Sequence, residues 1–303
     1  LELACSFCTS SALGQNGRLC MRFIRSIISS ILLFTILAAS LALASNLLPS
    51  KLEGDYLRQV YEQVLQTPES QAVLSEALLA TLPEPLRFFY RQIGYLDRPM
   101  AKHLQMQFGQ VEYTPAFSRP YIKLEWQQDL WADQPLRFAY GQGNLALATF
   151  ETLEAYRALN GEKKEVLGRY FQTGGESGLS ASRTQLVGWL ADSIWLPQAA
   201  LSGRIVWEAI DPQHLRASLS DGALKVSGVF EFNADGLLSG FFSQDGQETN
   251  RAGRWEITPW TLSVSDYVPQ NGLQLPRNYQ LSWKFPEGSY DYLIATDLRF
   301  IFD

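Results

Sequence analysis

The sequence predicts an α+β fold: a curved antiparallel sheet, an incomplete barrel, covered by helices and preceded by an N-terminal helical segment. Three observations predict it. Short aromatic and β-branched runs separated by turn residues fill the chain after about residue 104. A helical apolar periodicity occupies residues 51–93. The 303 residues are 46% hydrophobic and 18% charged, ample for a core and outside the disordered, collagenous and multi-span membrane classes.

The first Met is Met21, followed by Arg22-Phe23-Ile24-Arg25 and an uncharged run from Ser26 to Ser50. We read Met21 as the biological start and residues 1–20 as a non-native upstream extension. The basic segment, the apolar stretch Ile27 to Leu43 and the small-x-small end Ala42-Leu43-Ala44 make residues 21–44 a secretory signal, with cleavage expected before Ser45. The 23 residues from Ser26 to Leu48 also reach the length of a bilayer span, so cleaved signal and uncleaved anchor both stand. Either exports residues 45–303 as one extracytoplasmic domain, because Arg22 and Arg25 stay cytoplasmic. Cys5, Cys8 and Cys20 all precede Met21, so that domain has no disulfide, and the lone Cys5-Ser6-Phe7-Cys8 lacks the second pair that a zinc site needs.

In residues 51–66, Tyr56, Val60 and Val64 recur beside Leu57, Tyr61 and Leu65 as one apolar stripe. Thr67-Pro68-Glu69 reads as the start of a second helix through Ala72, Val73, Ala77 and Leu78, broken by Pro83-Glu84-Pro85. A third helix runs from Leu86 to Ile93 and ends at Gly94.

Alternation is clearest later, in Ile205-Trp207-Ala209, Leu215-Ala217-Leu219, Leu224-Val226-Gly228-Phe230-Phe232 and Tyr279-Leu281-Trp283-Phe285. Asp221-Gly222, Asp235-Gly236 and Asp245-Gly246 sit where hairpin turns belong. Polar partners at the intervening positions make this a meander with one wet face and one covered face. A helix near 182–196, bearing Leu186, Trp189, Leu190 and Ile194, is the natural cover. Glu151 to Leu159 is ambiguous between helix and strand, since it is rich in helix formers yet meets the hairpin signal Asn160-Gly161.

Leu82-Pro83-Glu84-Pro85-Leu86-Arg87, Tyr140-Gly141-Gln142-Gly143, the run Leu190 to Pro197, Val206-Trp207-Glu208-Ala209-Ile210-Asp211 and Gly228-Val229-Phe230-Glu231-Phe232-Asn233 together resemble a family of uncharacterised bacterial proteins, exported or membrane-anchored. The resemblance covers roughly residues 82–285 and implies no activity. The helix-covered sheet also resembles the half-barrel of periplasmic lipoprotein carriers, which implies an apolar concavity that receives acyl chains.

No catalytic signature emerges. The two histidines, His103 and His214, read as surface or turn residues, no G-x-S-x-G elbow occurs, and no metal site or cofactor is expected. Asp192, Glu208 and Asp211 would have to converge for acid–base work; the alternative is that Asp192 pins its helix by pairing with Arg183, Arg204 or Arg216. Gly174-Gly175-Glu176-Ser177-Gly178 lacks the lysine of a phosphate loop and reads as a flexible entry loop. Beyond residue 44 the chain carries 22 basic and 30 acidic residues, so nucleic acid is not an expected partner.

The functional expectation is a binding protein for an apolar or lipid-like ligand, held between the helix and a sheet face by Trp189, Trp207, Phe230, Leu281 and Trp283 and released by movement of the glycine-rich segment. The membrane is a partner through the N-terminal segment if that segment is uncleaved. An envelope protein–protein interaction module with a closed core and a carboxylate-type hydrolase are the alternatives.

Overall fold

The computed structural model describes residues 16–45, 47–68, 70–115, 120–251 and 254–303. It divides into two units, Leu1–Leu48 and Pro49–Asp303. In the first, helix α1 (Asn16–Ser45) exposes its described side chains from Arg22 to Leu37. Among the described residues no helix is long and apolar enough to cross a membrane. The side chains of Ala38, Leu41, Ala42 and Ser45, which belong to the uncharged run, are not among those described. The signal and anchor readings therefore rest on sequence, and Cys5 and Cys8 lie outside the described residues.

The second unit opens with α2 (Lys51–Gln66), capped by Ser50, whose hydroxyl accepts from the Glu53 amide at 3.0 Å. The expected second helix is reduced to α3 (Glu76–Leu79), capped by Ser75. Its intended first turn goes elsewhere: Val73 bridges Pro99, and Leu74 exchanges backbone bonds with Asp97 and Arg98. Glu69 lies outside the described residues. In α4 (Glu84–Gln92), Pro85 occupies the first turn, so the proline starts this helix instead of breaking one. Gly94 ends it with φ at +81°, a value glycine adopts without strain.

One antiparallel sheet follows, built from two meanders. The first comprises β1 (His103–Tyr113), β2 (Ile122–Trp131), β3 (Leu136–Leu145), β4 (Ala148–Arg157), β5 (Asn160–Leu167) and β6 (Phe171–Ser177). Helix α5 (Leu179–Asp192), a 3₁₀ turn (Ser193–Trp195) and α6 (Pro197–Leu201) lead to the second. That meander comprises β7 (Ile205–Asp211), β8 (His214–Asp221), β9 (Leu224–Phe232), β10 (Leu238–Arg251), β11 (Arg254–Gln270), β12 (Leu273–Phe285) and β13 (Gly288–Thr296), with β14 (Arg299–Phe302) at the end. β13 pairs with β1, so the order is β6-β5-β4-β3-β2-β1-β13-β12-β11-β10-β9-β8-β7, with β14 also on β1. The edge strands β6 and β7 do not pair, and the curved sheet stays open.

Residues 151–157 of this segment are strand, and the hairpin turns through Ala158 and Leu159, both at positive φ, leaving Asn160 paired with Arg157. Asp221-Gly222 ends β8 and enters the turn to β9, and Asp235-Gly236 lies between β9 and β10, but Asp245-Gly246 sits inside β10, at an irregularity between Ser243 and Gln247. The glycine-rich segment is also strand: Gly174 and Gly175 pair with Glu165 and Lys164 in β6, and only Gly178, at φ +85°, leaves the ladder to start α5. That segment is therefore an edge of the sheet, not an entry loop.

The covering of the sheet changes along its width. In β8 and β9 buried and open positions alternate, as one wet face requires. Over β3 and β4 both faces are covered, the concave face by α5 and the convex face by α2, where Leu52 and Tyr56 join Trp131, Phe138, Tyr140 and Leu153 in a second apolar cluster. Tyr56 fastens α2 by donating its hydroxyl to Asp129, which His103 Nε2 also meets at 2.8 Å. His103 is thus buried, stacked on Trp131 with ring centres 4.6 Å apart, and not at the surface as its sequence context suggests.

Candidate functional site

Strand alternation directs Gln128, Arg137, Glu154, Lys163 and Glu165 from β2 to β5 onto the concave face, where α5 brings Gln185 and Asp192 and β12 brings Tyr279. These groups form a buried polar belt in an otherwise apolar interior. Arg137 donates to Gln185 Oε1 at 2.8 Å, to Glu154 Oε2 at 3.1 Å and to Gln128 Oε1 at 2.9 Å. Asp192 accepts from Gln128 at 2.9 Å and from the Tyr279 hydroxyl at 3.0 Å, and its Oδ2 lies 3.7 Å from Arg137 Nε. Next along the belt, Lys163 pairs with Glu165 at 3.0 Å, and Glu165 accepts from the Tyr113 hydroxyl, also at 3.0 Å. α5 lies against the Arg137 side chain at Gly188, where a Cβ would make ordinary contact at 3.7 Å from the guanidinium carbon.

Burial and charge act against each other here. Burial raises the Asp192 carboxyl above the usual aspartate range, opposed by Arg137 and by bonds from Tyr279 and Gln128. Burial alone would lower Lys163 and Arg137, but Tyr113 with Glu165 and Glu154 outweighs it for Lys163, and Glu154 with Asp192 for Arg137, and both are held above their ordinary values, so both stay charged. The belt thus has two cations against three carboxyl groups.

Two cavities adjoin it. The inner one, of about 40 Å³, is lined by belt residues on one side and by Phe108, Trp126, Trp260, Leu281, Trp283 and Tyr292 on the other. It has room for roughly two or three water molecules as it stands. Trp283 Nε1 and Arg137 Nε, both buried donors, have no hydrogen-bond partner. The second cavity, of about 210 Å³, opens near the hairpin ends of the first meander and is lined mainly by apolar side chains, among them Ile122, Leu145, Phe150 and Leu167, with Glu165 at its wall. Exposed Leu145, Leu147, Tyr170 and Phe171 ring that end. Tyr113 stands between the two: it lines the inner cavity, its ring stacks on Phe150 at 6.3 Å, and its hydroxyl bonds Glu165.

The five residues expected to hold a ligand do not surround one space. Leu281 and Trp283 line the inner cavity, and Trp283 stacks on Tyr292 with centres 4.6 Å apart. Trp207, Phe230, Phe241 and Trp260 form a packed aromatic row, with successive centres 5.7, 4.7 and 5.8 Å apart. Trp189 is fully buried and donates to the Trp131 carbonyl at 3.0 Å.

The carboxylates expected to converge are apart as well. Asp192 is buried, whereas Glu208 pairs with Arg216 at 2.9 Å and Asp211 with His214 at 2.9 Å, all four at the surface. The partner of Asp192 is Arg137, not Arg183, Arg204 or Arg216. Among the described residues no group of three or more His, Cys, Asp or Glu is placed to hold a metal ion.

Residues 72–295 match the family described as a family of unknown function, DUF6544. In structure the chain is similar to a LolA superfamily protein, NE2245 from Nitrosomonas europaea, at 11% identity and a TM-score of 0.32, over 75% of this chain and 94% of that one. A search of curated protein sequences finds no match.

Proposed function

The chain belongs to this family of unknown function, and we propose that its second unit binds a lipid-like molecule on the extracytoplasmic side of the membrane. The observation that carries the proposal is the order of polarity along the two cavities. An apolar cavity of about 210 Å³ opens at the end of the sheet, and behind Tyr113 lies a smaller one of about 40 Å³ with an aromatic wall, among whose lining residues are two buried donors without a hydrogen-bond partner. A molecule with an apolar body and an oxygen-bearing end fits that order. Its body would lie against Ile122, Phe150 and Leu167, and its polar end would reach Leu281 and Trp283 once the Tyr113–Glu165 bond opens. The extracytoplasmic assignment is supported by Arg22 and Arg25 preceding the uncharged run.

The reading is tested by titrating the full chain with 1-monolauroylglycerol below its micelle concentration. Binding with quenched tryptophan emission and a negative heat-capacity change is expected. Thr173 on edge strand β6 is exposed and lines the outer cavity, so Thr173→Trp fills it from an edge position without replacing a core side chain. A folded Thr173→Trp variant loses at least roughly tenfold in affinity on this account, from lost apolar contact. Unchanged affinity would remove the outer cavity from the site.

A further inference from the structure

The inner cavity specifies more than an apolar guest. Its lining charges are Arg137, Lys163, Asp192 and Glu154, so an added anion would face two carboxyl groups and an added cation would face a guanidinium and an ammonium, in a space with little water to screen either. At the same time, the residues that line it include buried polar atoms without a hydrogen-bond partner: Trp283 Nε1, Arg137 Nε, whose carboxylate neighbour is Asp192 at 3.7 Å, and the Thr184 hydroxyl oxygen. The first two only donate. Unmet buried donors make a site selective for a group that accepts, because a guest that leaves them unmet forgoes their hydrogen bonds.

Resting on the lipid-like reading above, we infer that the polar end seated in this cavity is an uncharged carbonyl, such as that of an acyl ester or amide, and is neither a free carboxylate nor an amine. A carbonyl oxygen has two lone pairs, enough to accept from both donors, and adds no charge to the belt. The aromatic wall formed by Trp126, Trp260 and Tyr292 suits the adjoining methylene carbons.

Three probes of equal chain length test this on the full chain: 1-monolauroylglycerol, laurate and dodecylamine. The neutral ester is expected to bind at least about tenfold more tightly than either charged probe, on the cost of placing a charge beside like charges in a buried site. Trp283→Phe keeps an aromatic ring and removes the Nε1 donor, so the dissociation constant for the ester should rise roughly five- to tenfold, as losing one hydrogen bond requires. The comparison among probes on the unaltered chain needs no variant and stands if that substitution misfolds. Laurate or dodecylamine binding as tightly as the ester would overturn the inference and leave the lipid-like reading intact. If none of the three binds, both fall.

Discussion

Tyr113 on β1 and Glu165 on β5 meet at 3.0 Å across the concave face, although three strands lie between them. In a flat sheet four strand spacings would separate their backbones by about 19 Å, too far for a tyrosine and a glutamate to span. The bond therefore measures the curl of the sheet, and it is the same curl that brings Tyr156 of β4 within 2.8 Å of Asp221 at the end of β8.

Breaking the Lys163–Glu165 pair one partner at a time should be far worse than removing both. Lys163→Met leaves Glu165 buried with only the Tyr113 hydroxyl, and a loss of about 3–5 kcal/mol is expected. Lys163→Met combined with Glu165→Leu should recover much of that loss. Urea denaturation of the two single variants and the double variant gives the coupling, and additive losses would show that the pair does not act as one.

Asp192 makes stability depend on pH with a definite sign. Its folded pKa lies above the unfolded value because burial penalises the charged form. Between the unfolded pKa and the raised folded value the folded chain holds more protons, so the Asp192 contribution to stability falls as pH rises through that window. Asp192→Asn removes this contribution. The variant should gain on the unaltered chain in melting temperature as pH rises from the usual aspartate range toward neutrality, and a constant difference between the two curves would refute the assignment.

Tyr56 is the fastening of α2 to the convex face. Tyr56→Phe leaves buried Asp129 short of one donor while keeping the ring stacked on Tyr140, now 5.7 Å away centre to centre. A loss of about 1–3 kcal/mol is expected, with faster amide exchange confined to residues of α2. Exchange that quickens equally in β7 to β10 would place the effect in the whole sheet instead.

The topology has its own test. A reporter active only in the cytoplasm should stay silent when fused after Asp303, since Arg22 and Arg25 flank the inner end of the uncharged run. An active fusion contradicts the extracytoplasmic assignment.

How much of this was legible in the sequence follows from how many faces each strand buries. β8 and β9 bury one face, so their alternation reads directly as strand. β4 buries both: Leu153 and Ala155 lie under α2 while Thr152, Glu154 and Tyr156 face inward, and the period of two is blurred. Asp192 stood out as a carboxylate in an apolar helix, but its partner did not, because Arg137 follows a turn and resembles any solvated arginine. Glu162-Lys163-Lys164-Glu165 likewise reads as a surface charge run, yet alternation turns Lys163 and Glu165 inward and Glu162 and Lys164 outward. One usable signal was Gly141 in Tyr140-Gly141-Gln142-Gly143. A Cβ there would meet the Trp126 ring at 2.5 Å, so the glycine marks where an aromatic wall presses on the sheet.

The central claim, that the cavity beneath α5 receives the polar end of a lipid-like molecule, is tested most directly by a crystal structure of the full chain grown with 1-monolauroylglycerol. Density for the ester carbonyl is expected within hydrogen-bond distance of Trp283 Nε1 and Arg137 Nε, with the Tyr113 hydroxyl displaced from Glu165 and the acyl chain running past Phe150. An inner cavity holding only ordered water, with the Tyr113–Glu165 bond intact and the lipid bound elsewhere or absent, would contradict it.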